Sequence, residues 1–166
     1  MMAYDAAHGQ VVLFGGSGPT SLLNDTWTWD GSTWTQQHPA NSPSPRTDAM
    51  MAYDAARGQV VLFGGFDGYS DISGPLGDTW TWDGNTWTQQ FPADSPPARY
   101  WGTMAYDAAR GQVVLFGGTG ENSVMGDTWT WDGGAWTQRS PATSPPARSS
   151  PSMAYDAARG EIVLFG

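Results

Sequence analysis

Three arginines are the first candidates for chemistry in this sequence. Arg46, Arg99 and Arg148 each end a proline-rich segment, "SPSPR" or "SPPAR", and they follow one another at intervals of 53 and 49 residues. A guanidinium presents a planar fork of donors that matches a carboxylate or a phosphate. Two interpretations are open: the arginines line a channel and bind an anionic ligand, or they pair with a repeated Asp or with loop carbonyls.

Aromatic and acidic side chains cluster around the second of these arginines. Tyr100 and Trp101 directly follow Arg99, and further candidates lie in the segments "FDGYSDISGPLG" and "TGENSVMG". Aromatic rings with a few polar groups suit recognition of a peptide or a sugar, although local packing would explain Tyr100 and Trp101 equally well. The candidate ligand-binding residues are Tyr100, Trp101, Phe66, Asp67, Tyr69, Asp71, Glu121, Arg46, Arg99 and Arg148.

Signatures of catalysis and of metal binding are absent from the sequence. It contains no Ser/His/Asp set, paired carboxylates or phosphate-binding loop, and its two histidines, His8 and His38, lie in unrelated contexts. There is no Cys to act as a nucleophile or thiolate ligand, and Asp67 and Asp71 lack the spacing of a calcium loop. We therefore expect no catalytic residue, no metal and no cofactor.

The charge balance excludes several partners. The chain of 166 residues carries a net charge of −9, and its seven basic residues are all Arg. Phosphate backbones would be repelled, so nucleic acid is not an expected partner. No apolar stretch approaches the roughly 20 residues of a membrane-spanning helix, and "MMAYDAAHG" lacks the features of a signal peptide. We expect no membrane partner, and the cellular location stays open.

The elements that must position these residues are set by an internal repeat. The pattern "MAYDAA(H/R)G(Q/E)(V/I)VLFG" starts at Met2, Met51, Met104 and Met153, and a second block, "DTWTWDG", follows it three times. A repeat of about 50 residues that is rich in Gly, Pro and aromatic residues favours short strands and tight turns.

Each repeat is predicted to form four strands, A to D. Strand A is "MAYD", strand B is the apolar run Val11–Gly16, strand C alternates Thr and Trp over Thr26–Trp29, and strand D is "TWTQQ". The step from Asp30 to Gly31 predicts a C–D hairpin with a primed two-residue turn. The Trp residues recur at the same places in every repeat, so we expect them to pack in the core.

These signatures resemble the kelch family. Its marks are a double Gly after strand B, an aromatic-Asp pair after strand C, a Trp in strand D and a Pro/Arg step, here Gly64–Gly65, Trp82–Asp83, Trp87 and Pro96–Arg99. "TWDGNTW" is also similar to the Asp-box hairpin of sialidase-type propellers. The kelch resemblance implies a β-propeller whose loops near the central channel take partners. The Tyr–Cys copper site of the oxidases built on this propeller cannot form here, because Cys is absent.

The predicted fold class is all-β, an incomplete β-propeller of about three and a half blades. The blades cover approximately 1–46, 47–99 and 100–148, with a partial blade at 149–166. Closed propellers have four to eight blades. We therefore expect either a segment of a longer propeller or a chain whose open blade faces are covered by self-association.

The differences between repeats locate the expected function. In a four-stranded meander, the B–C and D–A loops emerge on the same face, and these loops vary while the A–B and C–D turns barely change. The leading prediction is a non-catalytic scaffold that recognises a protein or peptide through this face. The alternatives are a carbohydrate-binding or glycan-processing module, and a recently amplified structural repeat without a defined ligand.

Overall fold

Each copy of the repeat forms antiparallel strands that pair in chain order. The computed structural model describes residues 1–68 and 73–166, and these form three four-stranded sheets and one two-stranded sheet. The strands are β1 Met2–Asp5, β2 Gln10–Ser17, β3 Leu22–Trp29, β4 Trp34–Gln37, β5 Met50–Asp54, β6 Gln59–Phe66, β7 Pro75–Trp82, β8 Trp87–Gln90, β9 Thr103–Asp107, β10 Gln112–Phe116, β11 Thr128–Trp131, β12 Trp136–Arg139, β13 Ser152–Asp156 and β14 Glu161–Phe165.

The sheets are arranged as consecutive blades of an incomplete propeller. Their first strands lie side by side, with β1 beside β5, β5 beside β9 and β9 beside β13. The all-β prediction is confirmed, and each sheet falls within one of the predicted blade ranges. No helix among residues 1–68 and 73–166 is long and apolar enough to cross a membrane.

The C–D hairpins form where predicted, but their turn differs from the prediction. Trp29 pairs with Trp34, so the loop has four residues, and Gly31 rather than Asp30 takes the positive φ, at 101°. The Asp30 carboxylate accepts hydrogen bonds from the backbone N–H groups of Ser32 and Thr33, both at 2.8 Å. A side chain that caps the turn in this way replaces the backbone geometry of a two-residue primed turn.

The B–C connections are shorter than predicted in the first two blades. At the double Gly, the β6–β7 ladder shifts register between Phe63 and Gly65 and resumes with Gly65 opposite Leu76. The bulge at Gly64 lets strand pairing continue into the predicted loop. Gly64 lies at φ 67°, and a Cβ there would stand 2.4 Å from the carbonyl oxygen of Arg99. Only Gly fits where the D–A connection crosses the sheet.

Two apolar cores lie between the blades. Val12 and Phe14 of the first blade pack with Val60, Leu62 and the Trp pair of the second, and an equivalent cluster joins the second and third. The indole Nε1 of Trp87 donates to Thr26 across the first interface, 3.0 Å away, and Trp136 donates to Thr79 across the second, at 2.9 Å. The expected packing role of the repeated Trp residues is confirmed at these two interfaces.

Candidate binding face

The loops that vary between repeats meet on one face, which we call the variable face. It is formed by the B–C loops and the D–A connections. Thr47 exchanges two backbone hydrogen bonds with Phe66, and Tyr100 does the same with Thr119. These two D–A connections are therefore held against the segment at or just after the end of strand B of the next blade, and their residues stand beside that blade's B–C loop.

The connection then turns through an unusual backbone conformation at the same place in every repeat. Asp48, Trp101 and Ser150 have φ values of 55°, 55° and 56°, in the left-handed region that non-Gly residues rarely adopt. Backbone hydrogen bonds link them in series, from Trp101 N–H to the Asp48 carbonyl at 3.1 Å and from Ser150 N–H to the Trp101 carbonyl at 2.7 Å. The fold thus presents three different side chains from one strained, repeated backbone position.

Three of the predicted aromatic residues come together on the variable face. The Phe66 and Tyr100 ring centroids are 5.1 Å apart, and those of Tyr100 and Trp101 are 4.8 Å apart, both tilted by 56°. Trp101 is 45% exposed, in contrast with the buried Trp residues between the blades. The trio is a connected aromatic surface that remains open to solvent on its Trp101 side.

Cavities flank the aromatic trio on both sides. One of about 310 Å³ lies towards the first blade and is lined by Leu22, Thr47 and Asp48 as well as by the aromatic rings. A larger one of about 650 Å³ lies towards the third blade, between Phe66, Tyr100, Glu121 and Met125. Phe66 and Tyr100 line both cavities and separate them. A ligand bound over these two rings would therefore reach into both cavities.

The acidic candidates have different surroundings. Asp67 is exposed, and its carboxylate accepts a hydrogen bond from Gly74 N–H at 2.8 Å, which ties the two sides of the second B–C loop together. Glu121 is exposed at the rim of the larger cavity. Tyr69 and Asp71 lie outside the described residues.

Two of the three candidate arginines are enclosed within the protein. Arg46 and Arg99 are 1% and 0% exposed, and each forms a two-pronged ion pair with an Asp of the next blade, Asp78 and Asp127 respectively. Each also donates to a carbonyl of the double Gly, that of Gly64 or Gly117. Arg148 is partly exposed and donates to the carbonyls of Pro146 and Gly166. Of the two interpretations open for these arginines, the geometry of Arg46 and Arg99 matches structural pairing.

The ion pairs fix the charge state of their carboxylates. Burial by itself would raise the pKa of Asp78, but hydrogen bonds and charge from Arg46, with a further hydrogen bond from Trp80, lower it below its ordinary value. The pKa of Asp127 is lowered in the same way by Arg99 and Trp129, against the effect of burial. These carboxylates are therefore ionised at neutral pH. They neutralise Arg46 and Arg99, which the sequence alone left as candidates for binding an anionic ligand.

Asp48 is the residue that the sequence prediction missed. It contributes to the smaller cavity and also to a third one of about 360 Å³, which it shares with Trp101 and Ser150. Asp48 occupies the same position in its repeat as Trp101 does in the next one. This equivalence is the sequence signal that could have identified it.

No three His, Asp or Glu side chains among residues 1–68 and 73–166 lie close enough together to hold a metal ion. No protein-family model matches the sequence, and no curated protein matches it either.

Proposed function

We propose that this chain is a non-catalytic scaffold that binds a protein or peptide segment on its variable face. The observation that carries the proposal is the open aromatic trio of Phe66, Tyr100 and Trp101 with a cavity on either side. Exposed aromatic anchors beside pockets are typical of the residues that dominate protein-binding energies. The trio is also specific to one place in the array, because its residues differ from those at the equivalent positions of the other blades.

The charges around the trio favour a segment that carries Arg or Lys. Asp48, Asp67 and Glu121 lie on this face, while Arg46 and Arg99 are enclosed in ion pairs. A cationic side chain next to Trp101 would gain from the face of the indole as well as from the Asp48 carboxylate. We therefore expect weaker binding of the same segment as the salt concentration rises.

The A–B and C–D turns lie on the face opposite the variable face, and the charged side chains of the A–B turns support a structural role for that opposite face. The Asp54 carboxylate accepts a hydrogen bond from Ala56 N–H at 3.1 Å and pairs with Arg57 at 2.9 Å, and Asp107 pairs with Arg110 in the same way. In the first blade the Asp5 carboxylate has His8 as its partner, at 2.8 Å. Each of these groups closes its own A–B turn.

Within this proposal, the propeller is of the kelch type. Support comes from the double Gly that admits the D–A connection, and from the Arg at the end of that connection, which reaches the next blade.

A selection with a displayed random-peptide library tests the proposal. We expect the wild-type chain to enrich peptides with basic and apolar residues, and the Tyr100→Ala and Trp101→Ala variants to lose them while melting as the wild type does. Phe91→Ala is the matched control, because Phe91 is 83% exposed but lies outside the trio and its cavities. Enriched peptides that bind Trp101→Ala as well as the wild type would place the site elsewhere and contradict the proposal.

A carbohydrate-binding module is the second candidate. It is favoured by the 360 Å³ cavity, where the indole of Trp101 stands among the small polar residues Thr47, Asp48 and Ser150. Sugars combine apolar ring faces with hydroxyl groups, and such a lining offers partners for both. A glycan array probed with the wild type and with Trp101→Ala separates the two candidates. Glycan binding that Trp101→Ala loses, together with an empty peptide selection, would reverse their order.

A further inference from the structure

The smaller cavity beside the aromatic trio, of about 310 Å³, has the lining of a site for an organic cation. Phe66, Tyr100 and Trp101 line it together with Asp48, which is the one charged residue that the described part of the chain places there. The other lining residues, none of which is charged, are Ser17, Leu22, Thr47 and Gly68. Aromatic faces and a carboxylate both attract positive charge, so this lining favours a cation over an anion.

The three rings are spaced so that one cation can contact all of them. The Tyr100 ring centroid lies 5.1 Å from that of Phe66 and 4.8 Å from that of Trp101. A cation gains from an aromatic face within about 6 Å of the ring centroid, so a cation held close to Tyr100 lies within reach of both flanking rings. Each neighbouring pair is inclined by 56°, and inclined rings, unlike parallel stacked ones, can turn their faces towards one point.

The backbone holds the Asp48 carboxylate next to these rings. Trp101 N–H donates to the Asp48 carbonyl at 3.1 Å, and both residues have a φ of 55°. Within residues 1–68 and 73–166, the Asp48 carboxylate forms no hydrogen bond and no ion pair. The amino group of Met1 attracts it at longer range, and Met1 does not line this cavity. The carboxylate is therefore available to a charged ligand.

The shortage of hydrogen-bond acceptors in the cavity selects among cations. A primary ammonium carries three N–H donors and a guanidinium carries five, and donors that leave water without finding acceptors oppose binding. The side-chain acceptors in the described lining are few, chiefly the Asp48 carboxylate and the hydroxyl groups of Ser17 and Thr47. A trimethylammonium group keeps the charge but has no N–H donor, and its methyl groups can pack directly on aromatic faces.

We propose that this cavity binds a trimethylammonium group, and that Phe66, Tyr100, Trp101 and Asp48 form the cage around it. The inference rests on the proposed function, because it narrows the basic residue of the bound segment to one whose nitrogen is methylated. Two sources present this group: the side chain of trimethyl-lysine in a peptide, and a small quaternary ammonium compound such as choline. The chemistry recognised by the cage is the same for both.

Two probes of equal shape test the role of the charge. Choline and 3,3-dimethylbutan-1-ol have nearly the same outline, but only choline is cationic. Calorimetric or NMR titration of the full chain should show saturable choline binding, with the neutral alcohol about 10-fold weaker or more. Equal affinities for the two probes would overturn the proposal.

Variants of the cage show whether these residues hold the cation. Asp48→Asn removes the charge, and Asn tolerates the left-handed backbone as Asp does, so the variant should melt as the wild type does. We expect Asp48→Asn and Trp101→Ala each to weaken choline binding about 10-fold, and Trp101→Phe, which keeps a ring, to weaken it less. Phe91→Ala is the matched control, because Phe91 is 83% exposed and lies outside the cage. Choline affinity that is unchanged in both Asp48→Asn and Trp101→Ala would contradict the assignment.

Peptides distinguish the two sources of the group. An alanine-based peptide with one trimethyl-lysine should bind about 10-fold or more tightly than the same peptide with unmodified lysine. A trimethylated peptide that binds more tightly than choline supports the cage with a protein source, and the reverse order supports it with a small-molecule source. Tighter binding of the unmodified peptide, or no binding of either trimethylammonium probe, would overturn the proposal.

This inference and the proposed function fail in different experiments. If library selection yields peptides that depend on Trp101, yet choline and its neutral isostere bind alike, the cage is refuted and the scaffold stands. If choline binds through Asp48 and Trp101 while the peptide selection is empty, the cage stands and the peptide scaffold is refuted.

Discussion

The Arg46 guanidinium and the Asp78 carboxylate join the first and second blades through two parallel hydrogen bonds of 2.6 and 2.8 Å. Arg46 is 1% exposed, and it also donates to the Gly64 carbonyl at 3.0 Å. The same arrangement recurs between Arg99 and Asp127. One side chain therefore holds the end of a D–A connection, the double Gly and strand C of the next blade together.

Removing the cation of this pair should be strongly destabilising. Arg46→Ala leaves the partly buried carboxylate of Asp78 without its compensating charge, and it leaves the Gly64 carbonyl without its side-chain donor. We expect the free energy of unfolding, measured by urea titration, to fall by about 3 kcal/mol or more.

A second arginine provides the matched control for that measurement. Arg159 also pairs with an Asp, but its side chain is 70% exposed and that of its partner Asp156 is 23% exposed. Arg159→Ala should cost no more than about 1 kcal/mol, as is usual for exposed ion pairs. Equal losses for Arg46→Ala and Arg159→Ala would contradict the interblade role of Arg46.

The same ion pairs predict how stability depends on pH. Despite the opposing effect of burial, the pKa values of Asp78 and Asp127 are lowered in the folded chain by their arginines and by Trp80 and Trp129. The unfolded chain therefore binds protons first as the pH falls, and stability decreases with it. We expect the stabilisation to be complete above about pH 3.9, the ordinary value for Asp, and to be lost as the pH falls from there through the lower folded pKa values.

Urea titrations at a series of pH values check this dependence. The Asp78→Asn/Asp127→Asn variant is the reference, because its amides do not titrate. Its stability should be lower at neutral pH and should fall less steeply in acid than that of the wild type. Parallel pH profiles for the two chains would show that other carboxylates control the acid response.

The sequence predicts the blades well because each blade repeats its own local signals. Strand A was placed correctly from "MAYD", which matches β1 Met2–Asp5, and the Thr-Trp alternation located the centre of strand C. The error at Asp30 has a physical cause, since the step Asp-Gly is compatible both with a primed turn and with a four-residue turn capped by the carboxylate. The residues alone do not distinguish these two turns.

The candidate site was predictable only in part, because its partners come from different blades. Phe66 and Tyr100 are 34 positions apart in the chain, and the bridges of Thr47 to Phe66 and Tyr100 to Thr119 bring the loops together. The choice between an anion site and an interblade clamp for Arg46 likewise depends on Asp78, which comes from the following repeat. Such contacts across the repeat carry no local sequence signal.

The double Gly allows a substitution test of how the blades are joined. Gly64→Ala should destabilise the chain by about 2 kcal/mol or more, because φ there is 67° and a Cβ would stand 2.4 Å from the Arg99 carbonyl oxygen. Gly74→Ala is the control, since no atom lies within 4 Å of a Cβ built at that position, and it should change stability by less than about 0.5 kcal/mol. Thermal melts of both variants decide the matter, and similar melting temperatures would contradict the close approach at Gly64.

Substitutions at the strained backbone position on the variable face should change binding without a comparable change in stability. Trp101 has a φ of 55°, which Gly adopts at no steric cost, and its side chain is 45% exposed. In Trp101→Gly, relief of backbone strain offsets the lost contact with Tyr100, so we expect stability to stay within about 1 kcal/mol of the wild type. The same variant removes the exposed indole of the aromatic trio and should therefore abolish peptide binding. Asp48→Gly relieves the same conformation without removing a ring, so it should weaken binding only moderately, and mostly at low salt. If Trp101→Gly kept full affinity, the trio would not be the binding site; if it unfolded, Trp101 would be a packing residue instead.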